Sequence, residues 1–93
     1  MGVNFDIVYH PDVTEKDIPK LSAFGKDKIK KAIEEKLTIY PEVFGKPLRL
    51  SLKGYRKLRV GDHRIIYRIE SKKVKIFCIG HRSIVYERAN KRI

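Results

Sequence analysis

Residues 55–68 read Tyr-Arg-Lys-Leu-Arg-Val-Gly-Asp-His-Arg-Ile-Ile-Tyr-Arg, which is the pattern of a β-hairpin. Gly61 and Asp62 stand between two runs rich in β-forming residues, as is typical of a two-residue hairpin turn. With those two residues as the loop, the strand register follows directly. The expected pairs are Val60 with His63, Arg59 with Arg64, Leu58 with Ile65 and Lys57 with Ile66. The segment therefore predicts two adjacent antiparallel strands.

Alternation along these strands separates apolar from cationic side chains. Because successive side chains point to opposite faces, Leu58, Val60 and Ile65 share one face, towards a core. The opposite face receives Lys57, Arg59, Arg64 and Arg68. A direct Arg59–Arg64 pair costs some tenths of a kcal/mol to about 1 kcal/mol, because like charges face each other. Splayed, solvated side chains would explain one such residue, but four cations on one face favour a bound anion such as phosphate.

The positive charge of the chain is concentrated in its second half. The 93 residues include 22 Lys and Arg against 11 Asp and Glu, a formal net charge of +11. Residues 1–52 contain nine basic and eight acidic side chains, whereas residues 53–93 contain thirteen and three. Such a field attracts polyanions and accelerates encounter with nucleic acid. Solubility alone is the simpler explanation of a high net charge, but it does not require this one-sided placement.

Length, composition and cysteine usage indicate a small cytoplasmic protein. The chain is long enough for a single domain, residues 1–93, with one modest core. No apolar run approaches the length of a membrane span, and no signal peptide precedes the first predicted strand. The single cysteine, Cys78, lies in an apolar run and excludes an internal disulfide. We therefore expect Cys78 to be a core residue in a reducing compartment.

Hydrophobic periodicity predicts the order of helices and strands. Helices are predicted over residues 14–21, from residue 22 or 25 to residue 40, and over residues 83–92. Strands are predicted over residues 3–9, 48–52, 55–60, 63–70 and 73–79. Thr14 and Asp17 stand at capping-box spacing in the first helix. The order predicts an α+β fold, in which an antiparallel sheet of four to five strands carries an N-terminal helical hairpin packed on it.

A group of cationic and aromatic side chains is suited to chemistry on RNA. No metal or other cofactor is expected, because the three His and one Cys lack ligand spacing and no Gly-rich phosphate loop is present. The side chains that remain are Lys57, Arg59, Arg64, His81, Arg82 and Tyr86. RNA transesterification needs little more, because the substrate's own 2′-hydroxyl is the nucleophile and cations stabilise the phosphorane. On sequence alone, core packing is the simpler role for Tyr86, and His81 and Arg82 are as well explained as loop residues.

Two segments resemble the RelE/ParE superfamily of toxins from toxin–antitoxin pairs. Residues 52–67 read Leu-Lys-Gly-Tyr-Arg-Lys-Leu-Arg-Val-Gly-Asp-His-Arg-Ile-Ile-Tyr, and residues 79–86 read Ile-Gly-His-Arg-Ser-Ile-Val-Tyr. The pattern Arg-Val-Gly-Asp-x-Arg-x-x-Tyr with a following Gly-His-Arg is specific to the superfamily. The N-terminal strand and helices match it as well. The resemblance implies a RelE-like fold over nearly the whole chain.

The RelE branch implies a ribosome-dependent endoribonuclease that cleaves mRNA in the ribosomal A site without a metal. Its catalytic residues correspond here to Lys57, Arg64, Arg82 and Tyr86. In that correspondence Tyr86 is the general base, and Arg82 protonates the leaving group or stabilises the phosphate. Lys57 and Arg64 stabilise the scissile phosphate. Further substrate contacts are implied at Arg56, Arg59, Arg68 and His81. This branch carries a Lys at the position of Tyr55, so that charge is either missing here or supplied by Arg56.

The resemblance also implies partners. A RelB-like antitoxin is expected, and an acidic, partly disordered antitoxin segment suits a surface this basic. mRNA on the ribosome is the expected substrate, DNA is contacted only through the antitoxin complex, and no membrane is involved. Two alternatives stay open: a ParE-type inhibitor of DNA gyrase, and a non-catalytic basic RNA-binding module. ParE-type members generally lack the four catalytic residues together, so their presence favours the nuclease.

Overall fold

The predicted hairpin forms two inner strands of the sheet. In the computed structural model, which describes residues 4–93, β3 spans Arg56–Val60 and β4 spans His63–Glu70. The two strands pair antiparallel in the register expected from a Gly61–Asp62 turn, with Arg59 opposite Arg64. Gly61 has φ = +60°, a left-handed conformation that glycine adopts without a steric penalty. The hairpin prediction is confirmed.

Three further strands complete a five-stranded sheet. β1 spans Asp6–Tyr9, β2 spans Lys46–Pro47 and β5 spans Lys73–His81, in the order β1-β5-β4-β3-β2. Neighbouring strands are antiparallel, except that β1 and β5 are parallel. The predicted α+β class is confirmed, with one parallel pair in the sheet. The predicted start of the first strand at residue 3 lies outside the described residues.

The predicted helices are present, although several turns depart from α-helical geometry. The first helical segment is π-helical over Val13–Asp17 and 3₁₀-helical over Ile18–Lys20. The Ser22 hydroxyl accepts the Gly25 amide at 3.0 Å and caps the next helix, as expected for serine. The remaining helical elements are α1 (Ala23–Ala32) with a π-helical continuation (Ile33–Leu37), α2 (Pro41–Phe44), a 3₁₀ turn (Leu50–Leu52) and α3 (Val85–Arg92). No helix within residues 4–93 combines the length and the hydrophobicity of a membrane span.

Each face of the sheet buries an apolar layer. The N-terminal helices cover one face, where Leu58, Ile65 and Tyr67 lie in the core as the hairpin pattern predicts for the first two. The other face packs against α3 and the Leu50–Leu52 turn, and this second core contains Leu52, Ile66, Cys78, Val85 and Ala89. Burial raises the pKa of the Cys78 thiol to about 12, so the thiol stays protonated at neutral pH. Cys78 is therefore a small core residue, as predicted.

The predicted capping box at the first helix is wrong. Thr14 Oγ1 donates a hydrogen bond to the carbonyl oxygen of Pro11, and the Asp12 amide at the start of this helical stretch donates to His10 Nδ1 at 3.0 Å. Asp17 is almost completely buried and bonds to groups far away in the sequence. A buried carboxylate needs charged or hydrogen-bonding partners, and these outcompete a local cap.

The strand predicted over residues 48–52 is also wrong. The Leu48 amide donates to the Tyr55 carbonyl at 2.9 Å, and the chain reverses between these two residues. Leu50 lies in this reversal with φ = +58° and is 92% exposed. Leu48 and Leu52 still pack in the second core. The spacing of these leucines, which resembles that of a strand, therefore reflects burial on either side of a turn.

Gly45 is needed where the chain passes under Tyr67, and alanine at this position is expected to destabilise the fold. A Cβ on Gly45 would overlap the Tyr67 hydroxyl and lie 2.6 Å from its Cζ. The Tyr67 hydroxyl donates to the Pro41 carbonyl at 2.6 Å, so the ring cannot withdraw without breaking that bond. Overpacking of this kind costs about 1–3 kcal/mol, and we expect G45A to lose that much in urea unfolding.

The double variant G45A/Y67F separates overpacking from other effects of the substitution. Removing the hydroxyl removes the nearest clashing atom, so the double variant is expected to recover part of the loss seen in G45A. If G45A alone unfolds at the wild-type urea concentration, the close contact at Gly45 is not a packing constraint.

Candidate active site

Four cations and one aromatic ring line a single groove on the α3 face of the sheet. This cationic groove has a volume of about 190 Å³ and is lined by Phe44, Lys46, Lys57, Arg59 and Arg64. β3 supplies Lys57 and Arg59, β4 supplies Arg64, and Lys46 stands on the edge strand β2. The groove therefore forms because three adjacent strands present their cationic side chains on one face.

The groove contains two cross-strand pairs of like charge. Lys46 lies opposite Lys57, and Arg59 lies opposite Arg64. Among residues 4–93, none of these four side chains has a carboxylate within 4.0 Å. Each pair is destabilising by itself, and neighbouring acids do not relieve it. The arrangement is suited to an anion with several oxygen atoms, which accepts hydrogen bonds from guanidinium groups bidentately.

A comparison within the same sheet shows how like charges are otherwise accommodated. Arg68 lies opposite Lys75, and Glu70 bridges them with contacts of 2.6 Å to Arg68 and 2.7 Å to Lys75. The hydrogen bond from Lys75 and the charge of Arg68 hold the pKa of the Glu70 carboxyl below its usual range. An acid thus relieves the Arg68–Lys75 pair, whereas the groove has no equivalent.

The β3–β4 turn positions both Arg64 and Arg82. Arg64 Nη1 donates to the carbonyl oxygens of Gly61 at 3.0 Å and His63 at 2.9 Å. The Arg82 amide donates to the Asp62 carbonyl at 2.8 Å, which ties the end of β5 to the same turn. The Arg82 side chain is exposed. The hairpin turn therefore holds Arg64 and the backbone of Arg82 near one end of the groove.

Tyr86 lies beside Lys57, further from the turn. Lys57 Nζ is 5.6 Å from the centroid of the Tyr86 ring, within the range of a cation–π contact. Tyr86 belongs to α3, and its ring packs partly against the second core. Tyr86 therefore packs against the core and also lies near a cation, so the packing role and the catalytic role that the sequence suggested are compatible.

His81 is exposed at the end of β5, and its imidazole orientation follows from its neighbours. The Ser83 amide donates to His81 Nδ1 at 3.1 Å, and the Ser83 hydroxyl lies 2.8 Å from the same atom. Because Nδ1 accepts from the amide, the neutral ring carries its proton on Nε2. The ring of His63 packs edge-on at a centroid distance of 6.0 Å. His81 therefore presents Nε2 away from its Ser83 contact.

Three of the four residues expected to contact substrate lie outside the groove, namely Arg56, Arg68 and His81. Arg56 shares the face of Leu58, where its Nη2 donates to the Glu42 carbonyl at 2.6 Å. Burial raises the pKa of the adjacent Tyr67 hydroxyl, and the Arg56 guanidinium opposes that effect. Arg68 lines a separate cavity of about 320 Å³ and stacks on Tyr55 with its Cζ 5.6 Å from the ring centroid. The groove is therefore built without Arg56 and Arg68.

A buried ion cluster that the sequence reasoning missed holds α3 on the sheet. Asp17 accepts hydrogen bonds from the Ile79 amide at 2.9 Å, Arg88 Nη1 at 3.2 Å, and Arg92 at 2.6 and 2.7 Å. Arg92 also donates to the Phe77 carbonyl at 3.0 Å. These bonds join the first helical segment, β5 and α3. The cluster fixes the helix that carries Tyr86.

Lys46 and Phe44 were also missed, because residues 41–47 read as a loop. The cross-strand register adds Lys46 to the groove, since Lys46 pairs with Lys57 once β2 forms. Phe44 joins the groove because α2, which ends at Phe44, lies just before β2.

The described part of the chain contains no group of three or more His, Cys, Asp and Glu side chains that could hold a metal ion.

The family model described as the ParE toxin of the type II toxin–antitoxin system, parDE, matches residues 7–86. The chain belongs to this toxin family. A search of curated proteins finds no match. The family match agrees with the RelE/ParE superfamily that residues 52–67 and 79–86 resemble, so the chain is a toxin-family protein of that superfamily.

Solved structures show the same fold. A chain of the toxin–antitoxin complex RelBE2 from Mycobacterium tuberculosis has a TM-score of 0.80 and 28% identity, over 87% of this chain and 94% of that one. YafQ from E. coli has a TM-score of 0.55 and 24% identity, over 85% and 94% of the two chains. The YoeB–YefM complex from Staphylococcus aureus has a TM-score of 0.54 and 24% identity, over 77% and 90%. At such identities the last two similarities show the fold alone.

Proposed function

We propose that this toxin-family protein is a ribosome-dependent endoribonuclease that cleaves mRNA in the A site. The observation that carries the proposal is the pair of like-charged cross-strand contacts, Lys46–Lys57 and Arg59–Arg64, in a groove without a neighbouring acid. A phosphodiester backbone supplies the missing negative charge. Tyr86 beside Lys57 and Arg82 beside the hairpin turn add the groups that RNA transesterification requires.

The residues of the groove, and Tyr86 beside it, have distinct proposed roles. Tyr86 removes the proton of the 2′-hydroxyl, whose oxygen attacks the adjacent phosphorus. Lys57 and Arg64 stabilise the charge that develops on the phosphorane, and Arg59 contacts a further phosphate. The bond from phosphorus to the 5′-oxygen then breaks and this oxygen takes a proton from solvent, which leaves a 2′,3′-cyclic phosphate and a 5′-hydroxyl end, while Tyr86 releases the proton it accepted to solvent. The proposal invokes no metal, because the cations of the groove supply the charge stabilisation at the phosphorane.

Arg82 and His81 act at the leaving group in this proposal. A guanidinium keeps its protons in proteins, so Arg82 stabilises the departing 5′-oxygen by hydrogen bonding and charge. His81 contacts substrate through Nε2, which its Ser83 contact leaves available. Arg56 and Arg68 are not assigned contacts to the scissile phosphate, since their side chains are held elsewhere.

The proposal includes an antitoxin as the partner that neutralises the toxin. The RelBE2 and YoeB–YefM structures are complexes of toxin with antitoxin. With a formal net charge of +11, this chain would bind an acidic antitoxin segment favourably. The toxin would then act in the cytoplasm, where ribosomes are found.

The proposed activity is tested with purified protein, programmed ribosomes and end mapping of the mRNA. New 3′ ends at the A-site codon are expected only when ribosomes are present. Cleavage of free mRNA at the same rate would contradict the ribosome dependence. Binding of RNA that weakens with salt but gives no products would favour the non-catalytic RNA-binding module instead.

Replacing Arg82 by alanine is expected to lower the single-turnover cleavage rate about 10²–10³-fold, the usual effect of removing one electrostatic contact to a transition state. Arg82 is exposed, so the fold should be retained. K31A is the matched control, because it removes an equal charge from the exposed surface of α1 on the other side of the sheet. Equal losses in both variants would show that only net charge matters.

The alternative function is inhibition of DNA gyrase, and one observation favours it. The family model that matches residues 7–86 is named for the ParE toxin. If mRNA stays intact on programmed ribosomes, a gyrase supercoiling assay with the same preparation decides between the two. Inhibition that survives R82A and Y86F would show that gyrase inhibition does not depend on the two proposed catalytic residues beside the cationic groove.

A further inference from the structure

The wall of the cationic groove includes a single aromatic ring, that of Phe44. This residue is 43% exposed although it is large and apolar. It lines the same cavity as Lys46, Lys57, Arg59 and Arg64. Lys57 also lies beside Tyr86 and so connects the proposed catalytic base with the wall that carries Phe44. An exposed ring next to phosphate-binding cations is the combination by which proteins bind single-stranded RNA.

The backbone around Phe44 is anchored on both sides. Before it, the Tyr67 hydroxyl donates to the Pro41 carbonyl and Arg56 donates to the Glu42 carbonyl, each at 2.6 Å. After it, the chain enters β2, where Lys46 pairs with Lys57. Between these anchors lies Gly45, which has no space for a side chain. The backbone that carries the ring is therefore anchored by hydrogen bonds and strand pairing rather than belonging to a free loop.

Neighbouring side chains support the ring and leave part of it accessible. The ring of Tyr40 lies 6.4 Å from that of Phe44, at an angle of 57°. Lys36 Nζ lies 5.6 Å from the Phe44 centroid. A ring that is supported in this way loses little conformational freedom when a flat group stacks on its remaining surface.

We propose that Phe44 is a stacking platform for a nucleobase of the RNA whose phosphates occupy the groove. The proposal rests on the proposed ribonuclease function and adds a positioning residue to it. The base would lie next to the nucleotide held by Lys57 and Arg64, so stacking would set where the backbone sits in the groove. Because every base has a π-face, this contact does not require a fixed sequence.

Tryptophan at position 44 gives a direct readout, because the chain contains no tryptophan. The indole fluorescence of F44W should be quenched when a short single-stranded RNA binds. Inorganic polyphosphate is the matched ligand, since it offers phosphates to the cations but has no bases. Quenching by RNA and not by polyphosphate supports stacking. Equal quenching by both, or by neither although both bind, overturns the proposal.

Affinity measurements on three variants separate stacking from apolar contact. F44A is expected to bind the RNA about tenfold more weakly, within the usual range for loss of one stacked base. F44L keeps apolar volume but lacks the π-face, so it should behave like F44A. V43A is the control, because Val43 is 68% exposed on the same helix but does not line the groove. Polyphosphate affinity should be unchanged in all three, and wild-type RNA affinity in F44A would refute the platform.

The same variants distinguish failure of this proposal from failure of the proposed function. If wild-type protein cleaves mRNA on ribosomes and F44A does so at the same rate and position, the platform is wrong and the nuclease stands. If wild-type protein leaves mRNA intact but F44W still reports RNA stacking, the platform stands on a non-catalytic RNA-binding surface.

Discussion

Replacing Tyr86 by phenylalanine is expected to lower mRNA cleavage on programmed ribosomes about 10²–10⁴-fold, the usual contribution of a general base. The substitution removes only the hydroxyl, and the ring keeps its packing against the second core and its position 5.6 Å from Lys57 Nζ. The loss should therefore appear in the chemical step rather than in stability. Single-turnover formation of 3′ ends at the A-site codon measures it.

Tyr55 provides a closely matched control for this prediction. It lies partly buried in the same second core, and its ring is also 5.6 Å from a cation, the Cζ atom of Arg68. Tyr86 lies beside the groove cation Lys57, whereas Tyr55 lies beside Arg68 and lines the separate cavity that contains it. Y55F should therefore cleave at the wild-type rate. An unchanged rate in Y86F, or an equal loss in Y55F, would contradict the assignment of the base.

Replacing Asp17 by asparagine is expected to destabilise the protein by about 3–5 kcal/mol, the usual cost of removing one partner from a buried ion pair. The Asp17 side chain is fully buried, and the Arg92 side chain is only 8% exposed. Without the carboxylate, the guanidinium groups of Arg88 and Arg92 remain near the core without their acid. Urea unfolding should show this loss as a lower midpoint with a similar slope.

Asp12 is the control for Asp17, because it contacts the same arginine from a more exposed position. Asp12 lies 3.6 Å from Arg92 Nε and 3.7 Å from Lys16 Nζ, and its side chain is 33% exposed. Exposed pairs contribute about 0–1 kcal/mol, so D12N should unfold close to the wild-type midpoint. Similar losses in D12N and D17N would show that the ion cluster acts through net charge and not through burial.

The Asp17 cluster also connects stability with the proposed activity. It ties α3 to the Ile79 amide of β5 and to the first helical segment. Tyr86 is on α3, two residues before Arg88. A loosened α3 would move Tyr86 relative to Lys57, so D17N should lower cleavage as well as stability. In Y86F only cleavage should fall, which separates positioning from chemistry.

Local sequence rules were sufficient for the hairpin and for the like-charged pair that it contains. A Gly-Asp turn with period-2 strands on each side leaves one register, and that register places Arg59 opposite Arg64. The position of Cys78 in an apolar run predicted its burial equally well. These features depend on residues close together in the chain, so few alternative partners compete.

The composition of the groove was only partly predictable. Alternation along β3 places Arg56 on the face of Leu58 and away from Lys57, so the sequence did contain the signal that excludes it. Arg68 has the correct face, but Glu70 occupies its guanidinium at 2.6 Å. Lys46 and Phe44 join the groove only because the chain after α1 returns along β3. Such long-range returns have no local signature.

The sequence by itself determined the class of fold, the central hairpin and the concentration of positive charge on its face. Turn chemistry and side-chain alternation act over a few residues, and they leave little for tertiary packing to change. Tertiary structure alone decided the role of Asp17, which bonds to residues 62 to 75 positions away. Tertiary structure also decided which cationic side chains have an acidic neighbour, because folding must bring an acid beside each of them. Arg68 has such an acid and Arg64 does not, although both lie on β4.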